Sequence, residues 1–165
     1  MSRIGGMRAK IAGTNWENLF ESSAWKFGCK VIKIPSGCKW VGPNKIKPIP
    51  TPFDFCIIRK SVSVYLDTKT TLSGTFTFSD IDQNQVYWLS QCAAGGCKAG
   101  YVVEFRRLEL VVFFSVEQLA GLKPRSGLSP ADGVQLSGDD GRLDLGALFY
   151  ERTKEATGGT FAPLK

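Results

Sequence analysis

The chain has 165 residues, 43% of them hydrophobic, enough for one domain of ordinary size with its own core. It carries 21 Lys/Arg against 15 Asp/Glu, a net charge of +6, and no histidine. The positive balance favours an anionic partner, while the missing imidazole excludes His-based nucleases and Ser-His or Cys-His triads.

Met1 to Gly13, with Arg3, Arg8, Lys10 and three glycines, lacks the apolar run of a signal peptide and reads as a flexible basic arm. Residues 14–123 read as the core, and 124–165 as a C-terminal extension. Within the core, Thr14 to Gly28 predicts a helix: Trp16, Leu19, Phe20, Ala24 and Phe27 keep three-and-four spacing, and Gly28 suits the C-terminal stop. Thr14 and Glu17 have the Thr-x-x-Glu spacing of a capping box, so Glu17 is either a cap or a functional carboxylate, with Glu21 one turn on as the fallback. A strand is expected over Lys30 to Ile34. The Pro and Gly content of Ser36 to Pro50 then predicts an irregular loop in which Lys39, Lys45 and Lys47 flank Trp40. Together with Lys33 and the basic arm, these lysines are candidate phosphate contacts. Trp40 is placed either to stack on an unpaired base or to fold back over the core.

From Pro50 to Thr71 the pattern turns to strict alternation. Phe53, Phe55 and Ile57 oppose Asp54, Cys56 and Ile58; Arg59-Lys60 reads as a turn; and Val62, Val64, Leu66 and Thr68 oppose Ser63, Tyr65, Asp67 and Lys69. A hairpin turning at residues 59–61 sets Asp54 roughly opposite Asp67, with Lys69 on the same face as Asp67. Two carboxylates held that close call for a cation between them. Mg2+, a hard ion that takes one or two carboxylates plus substrate phosphate, fits, and Mn2+ is expected to substitute.

Asp82 to Leu89 predicts a second helix, with Asp80 and Asp82 as caps and Gln85 on its first turn. Gly95-Gly96 reads as a turn into a strand ending at Phe105, and Leu110 to Phe114 as a buried strand, too short to span a membrane. Past Lys123-Pro124 the chain becomes rich in Gly, Ser and Asp. It then offers Leu143, Leu145, Leu148 and Phe149 in an amphipathic helix expected to run to about Lys154, before a fraying end. The five cysteines, Cys29, Cys38, Cys56, Cys92 and Cys97, are an odd count without zinc-knuckle spacing and read as reduced, mostly buried thiols in a cytoplasmic setting.

Charge distribution strengthens the link between the acids and an anionic substrate. Residues 1–60 hold 11 Lys/Arg and three Asp/Glu, a balance of +8, whereas residues 61–165 hold 10 and 12. The acids of the first part, Glu17 and Asp54 among them, therefore sit in a basic field suited to phosphate.

Helix Glu17, strand Asp54, strand Asp67-x-Lys69 and helix Gln85, in that order, resemble the PD-(D/E)xK nuclease superfamily. The Gly-rich turn and strand that follow make the pattern similar to Holliday junction resolvases of the RecU and archaeal Hjc type. The resemblance spans residues 14–120, with Asp67 where Glu is commoner and with a much reduced stalk region. It implies an α/β, restriction-endonuclease-like core, a mixed central sheet flanked by helices. It also implies a Mg2+-dependent endonuclease acting as a homodimer on branched DNA, with no small-molecule cofactor. Asp54, Asp67 and Glu17 would hold the metal, Lys69 would position the attacking water, and Gln85 would support the site.

Overall fold

The computed structural model describes residues 3–35, 37–43, 45–138, 143–152 and 161–163; the side chains of residues 3–14, 40, 150–152 and 161–163 lie outside that description. In chain order the elements are α1 (Arg3–Lys26), β1 (Lys30–Lys33), β2 (Gly37–Gly42), β3 (Lys45–Ile49), β4 (Phe55–Arg59), β5 (Val62–Thr71), β6 (Phe76–Thr77), α2 (Gln83–Ala94), β7 (Lys98–Phe105), β8 (Leu110–Ser115), α3 (Val116–Ala120), β9 (Gly127–Leu128), β10 (Val134–Gln135), α4 (Gly146–Phe149), β11 (Tyr150–Arg152) and β12 (Phe161–Pro163).

The tight turn after Arg59, with Lys60 at φ 55°, folds β4 back on β5 in an antiparallel register that pairs Phe55 with Leu66 and Arg59 with Val62. After β5 the chain crosses over through α2 and returns as β7, which must then lie parallel to β5. The result is a six-stranded mixed sheet in the order β1-β4-β5-β7-β8-β10, in which β5 and β7 form the parallel pair. Both faces are covered, so the strands bury alternate residues in two separate cores. Toward α1 and α4 lie Phe55, Ile57, Val64, Leu66, Val102, Val111 and Phe113, packed with Trp16, Phe20 and Ala24 of α1. Toward α2 and α3 lie Ala99, Tyr101, Val103, Phe105, Val112 and Phe114, packed with Val86, Leu89, Val116 and Leu119. The expected α/β architecture, a mixed central sheet flanked by helices, is the one observed.

On α1 the buried residues Trp16, Phe20 and Ala24 recur every four positions, the spacing of a single helical stripe. Phe20 is fully buried against Phe55, ring centroids 5.3 Å apart, so truncating it to Ala would cost about 3–5 kcal/mol. Gly28, at φ +82°, stops the helix where the sequence placed the stop, because an L side chain is strained there.

Three expectations are corrected. The helix does not begin at Thr14 but runs back to Arg3, so the backbone expected to be a flexible arm is helical over residues 3–13. Thr14 is consequently interior to α1, and the Thr-x-x-Glu pair does not cap a helix start. Residues 36–50 are not an irregular loop: β2 and β3 form an antiparallel ribbon, with a bulge between Trp40 and Gly42 that absorbs the local irregularity. Pro48 is tolerated because a two-stranded ribbon has an outer edge that needs no donor. In the C-terminal extension, β10 completes the main sheet and Leu136, Leu143, Leu145, Leu148 and Phe149 enter the α1-side core. The expected tail helix shrinks to the single turn of α4, followed by β11, which pairs with β12. Residues 153–160, over which it was to end, lie outside the described residues. Of the thiols, Cys29 and Cys56 are buried, Cys92 and Cys97 half-buried and Cys38 exposed. Among the described residues no helix is long and apolar enough to cross a membrane.

Candidate active site

Asp54 immediately precedes β4, but its backbone already belongs to the sheet: its N–H donates to Leu66 O at 3.0 Å, and its carbonyl accepts from Ile34 N at 2.8 Å. Continuing the register one step beyond Phe55 and Leu66 sets Asp54 against Asp67, as the alternation of the sequence demands. The Asp54 carboxylate is anchored through Oδ2, which accepts from Thr68 N at 2.9 Å and Thr68 Oγ1 at 2.8 Å. Asp67 lies in the middle of β5 and is completely buried. Its Oδ1 accepts from Gln85 Nε2. Its Oδ2 is buried without a well-directed hydrogen bond, 2.5 Å from the Lys69 ammonium.

Lys69, two residues along the same face, is about one-quarter exposed and also donates to Gln85 Oε1 at 2.9 Å. Gln85 is buried on the first turn of α2, which begins where the Asp82 side chain accepts from Asn84 N and Gln85 N. A participant not singled out from the sequence is Tyr101 of β7. It faces Asp67 across the parallel pair, and its hydroxyl, with one proton to share between them, lies 3.2 Å from Gln85 Oε1 and 3.3 Å from Asp82 O. Thr68 was missed as well. Alternation assigned it only a face, and nothing local signals that its hydroxyl reaches a residue fourteen positions earlier.

Burial pushes the Asp67 carboxyl up to about 7; Lys69 pulls the other way, and Asp54 raises it further as a like charge and as a hydrogen-bonding neighbour. Two acids sharing so little space are the condition in which one keeps its proton until a cation arrives. Burial, with the nearby Asp67 charge, also drives the Tyr101 hydroxyl far above its ordinary range, so it remains a donor at any working pH.

Glu17 is not brought to this cluster. It pairs with Lys33 at 2.7 Å, and this hydrogen bond is the main reason the Lys33 pKa is raised. Among the described residues no three acidic or thiol side chains stand close enough to hold a metal ion, so the expected triad of Asp54, Asp67 and Glu17 contracts to two carboxylates. The cause is Lys33 on the edge strand, which captures Glu17. Lys33, expected to meet phosphate, is thus paired with Glu17 in this structure while its side chain stays exposed. Glu21, one turn on, also acts on Lys33 through its charge and, among the described residues, is in no group of acids close enough to hold a metal ion. The two remaining carboxylates still suit a hard divalent cation. Asp67 Oδ2 is a buried anionic oxygen short of a hydrogen bond, and a second carboxylate stands opposite it.

Lys39, Lys45 and Lys47 are all exposed on the β2–β3 ribbon, with Lys39 directly opposite Lys47. The ribbon springs from Ile34 and Asp54, whose backbones are hydrogen-bonded to each other, so it rises from the rim of the carboxylate site. The side chains of Arg3, Arg8, Lys10 and Trp40, also expected to contact DNA, lie outside the described residues.

No protein-family model matches the sequence, and no curated protein does. Solved structures do match. One is Hjc from Archaeoglobus fulgidus, a Holliday junction resolvase from an archaeal hyperthermophile, with a TM-score of 0.54 at 16% identity, covering 74% of this chain and 94% of that one. The chain shares the resolvase fold. At this identity the likeness is one of architecture.

Proposed function

We propose that the protein is a divalent-metal-dependent endonuclease of the PD-(D/E)xK type that cuts branched DNA, in particular four-way junctions. The observation that carries this reading is the pairing of Asp54 with buried Asp67, with Lys69 and Gln85 completing the cluster. A carboxylate held at the center of a sheet beside another acid lowers stability, and such an arrangement is retained where chemistry needs it. Mg2+, or Mn2+ in its place, would be held by Asp54 and Asp67, and when bound it supplies Lewis acidity at the scissile phosphate and the leaving oxygen.

The protein's own groups do the rest. Thr68 locks Asp54 in place through two hydrogen bonds. Gln85 holds Asp67 by one oxygen, and the other meets the Lys69 ammonium. Lys69, the one cation of the cluster among the described residues, positions the attacking water and offsets charge on the phosphate.

The ribbon supports a polyanionic substrate. Like charges directly opposite on paired strands repel, and Lys39 and Lys47 are placed that way on an exposed element beside the site. A phosphate backbone removes that penalty. Hjc, which shares the fold, is a resolvase of Holliday junctions. Symmetric cutting of a four-way junction takes two active sites related by a two-fold axis, hence a homodimer.

The test is a panel of four-way junction, flap, nicked and linear duplex DNA at matched salt, with Mg2+ or EDTA, using wild type and Asp54→Asn. Metal-dependent nicking of the junction in preference to duplex, lost in the variant with binding retained, is expected. Undiminished cutting by Asp54→Asn would remove the site assignment, and equal cutting of junction and linear duplex would remove the junction preference.

A further inference from the structure

The side-chain amide of Gln85 has one acceptor and two donors, and which end faces Asp67 decides whether that contact attracts or repels. Its neighbours settle the direction. Lys69 Nζ, 2.9 Å from Oε1, is purely a donor. The Tyr101 hydroxyl, 3.2 Å from the same Oε1, supplies a second donor. With both lone pairs of Oε1 engaged, Nε2 is left to donate to Asp67 Oδ1. The reverse orientation would set Oε1 against a carboxylate oxygen and Nε2 against an ammonium. The two donors differ in permanence. Lys69 is partly exposed and, in the function proposed above, turns to the substrate. Tyr101 is fully buried, packed edge-on against Phe76 with centroids 6.0 Å apart, and is tied also to Asp82 O at the start of α2.

Resting on that reading of the site, we propose that Tyr101 is a positioning residue: by holding Oε1 of Gln85, it keeps the amide directed at Asp67 Oδ1 and thereby keeps Asp67 Oδ2 presented for a divalent cation when Lys69 is engaged elsewhere. Tyr101 acts through Gln85 and touches neither metal nor DNA. Its ring alone does not suffice, because the hydroxyl is the group that bonds Gln85, while Lys69, purely a donor, sets which end of the amide turns toward them.

Tyr101→Phe keeps the ring and removes the hydroxyl. In the full-length protein without DNA, Mn2+ binding followed by electron paramagnetic resonance should weaken roughly three- to tenfold, the effect of one lost hydrogen bond. Solvent exchange of the Gln85 side-chain amide protons, followed by NMR without metal, should accelerate. In junction cleavage the half-saturating Mg2+ should rise by a similar factor, while the rate at saturating Mg2+ changes less than twofold. In a Gln85→Met background, adding Tyr101→Phe should have no further effect on Mn2+ binding. Unchanged Mn2+ affinity with unchanged amide exchange would overturn the proposal. So would additive effects in the double variant, or a rate loss that excess Mg2+ does not restore. Should wild type bind Mn2+ but cut no DNA, the nuclease reading falls while the binding and exchange measurements still decide the role of Tyr101.

Discussion

Val64 and Leu66 point from β5 into a core of aromatic and aliphatic side chains under α1, whereas Tyr65, Asp67 and Lys69 point from the same strand toward α2, where Asp67 meets Gln85 and Tyr101. Leu66 and Asp67 are neighbours in sequence and both wholly inaccessible to water. One gains free energy by that burial, and the other loses it unless every oxygen finds a partner. On the α1 side, packing explains each residue. On the α2 side, Asp67 Oδ2 meets the Lys69 ammonium at 2.5 Å without a well-directed hydrogen bond, and burial displaces its carboxyl toward neutrality, which packing does not explain. The difference separates, on a single strand, the face that packing accounts for from the face that it does not.

Substitutions that act on one face only should break this contrast if it is wrong. Lys69→Ala is expected to lower the rate of metal-dependent junction cleavage by roughly a hundred- to ten-thousandfold, with some loss of stability as Asp67 loses its ionic partner. Single-turnover kinetics at saturating protein read it, and a loss under fivefold would dissociate Lys69 from the chemistry. Leu66→Ala, on the other face, should cost about 2–5 kcal/mol of stability by opening a cavity, yet leave the rate intact in the fraction still folded. A variant equally stable in urea but inactive would show that the faces are not independent.

Asp67→Asn should do the opposite to stability. The Asp67 carboxyl titrates near 7 in the fold against its ordinary 3.8, so between those values the folded chain retains a proton that the unfolded chain has released. Stability therefore falls as pH rises through that window and stays low above it. The variant should lack this fall. In EDTA it should exceed wild type above pH 7 by an amount on the order of a few kcal/mol, with the gap closing toward pH 4. Urea titrations at several pH values check this, and parallel stability curves would exclude a perturbed Asp67. The smallest effect is expected on the ribbon. Lys39→Ala with Lys47→Ala should leave folding stability within about 0.5 kcal/mol and weaken junction binding, lowering the log-log salt slope by about one to two. An unchanged slope would take the ribbon off the DNA.

Local periodicity carried far in this chain. The alternation from Asp54 to Lys69 set the hairpin, its turn and the opposition of Asp54 to Asp67, because a period of two leaves no freedom once the turn is placed. Phe53, expected beside Phe55 and Ile57, instead packs on the other face against Tyr65, since the strand begins only after it. The four-residue recurrence of Trp16, Phe20 and Ala24 set the buried side of α1, and Asp82 marked the start of α2 through its own side-chain cap. Composition misled where it was read as prohibition: Pro and Gly between residues 36 and 50 did not prevent a two-stranded ribbon, which asks little of its outer edge.

What the sequence determined by itself was thus α1, α2 and the strands β1, β4, β5, β7 and β8 of the core, and the convergence of Asp54, Asp67 and Lys69. These follow from interactions between residues near in the chain or joined by one tight turn. Tertiary structure alone decided the fate of Glu17, which Lys33 captures from another element, and the arrival of Leu136 to Phe149 in the α1-side core. It alone also brought Tyr101 to Gln85, through the parallel pairing of β5 with β7 across the α2 crossover. Parallel partners are set by how a crossover packs rather than by any short-range pattern, so the hydroxyl that meets the amide could be found only once the sheet was assembled.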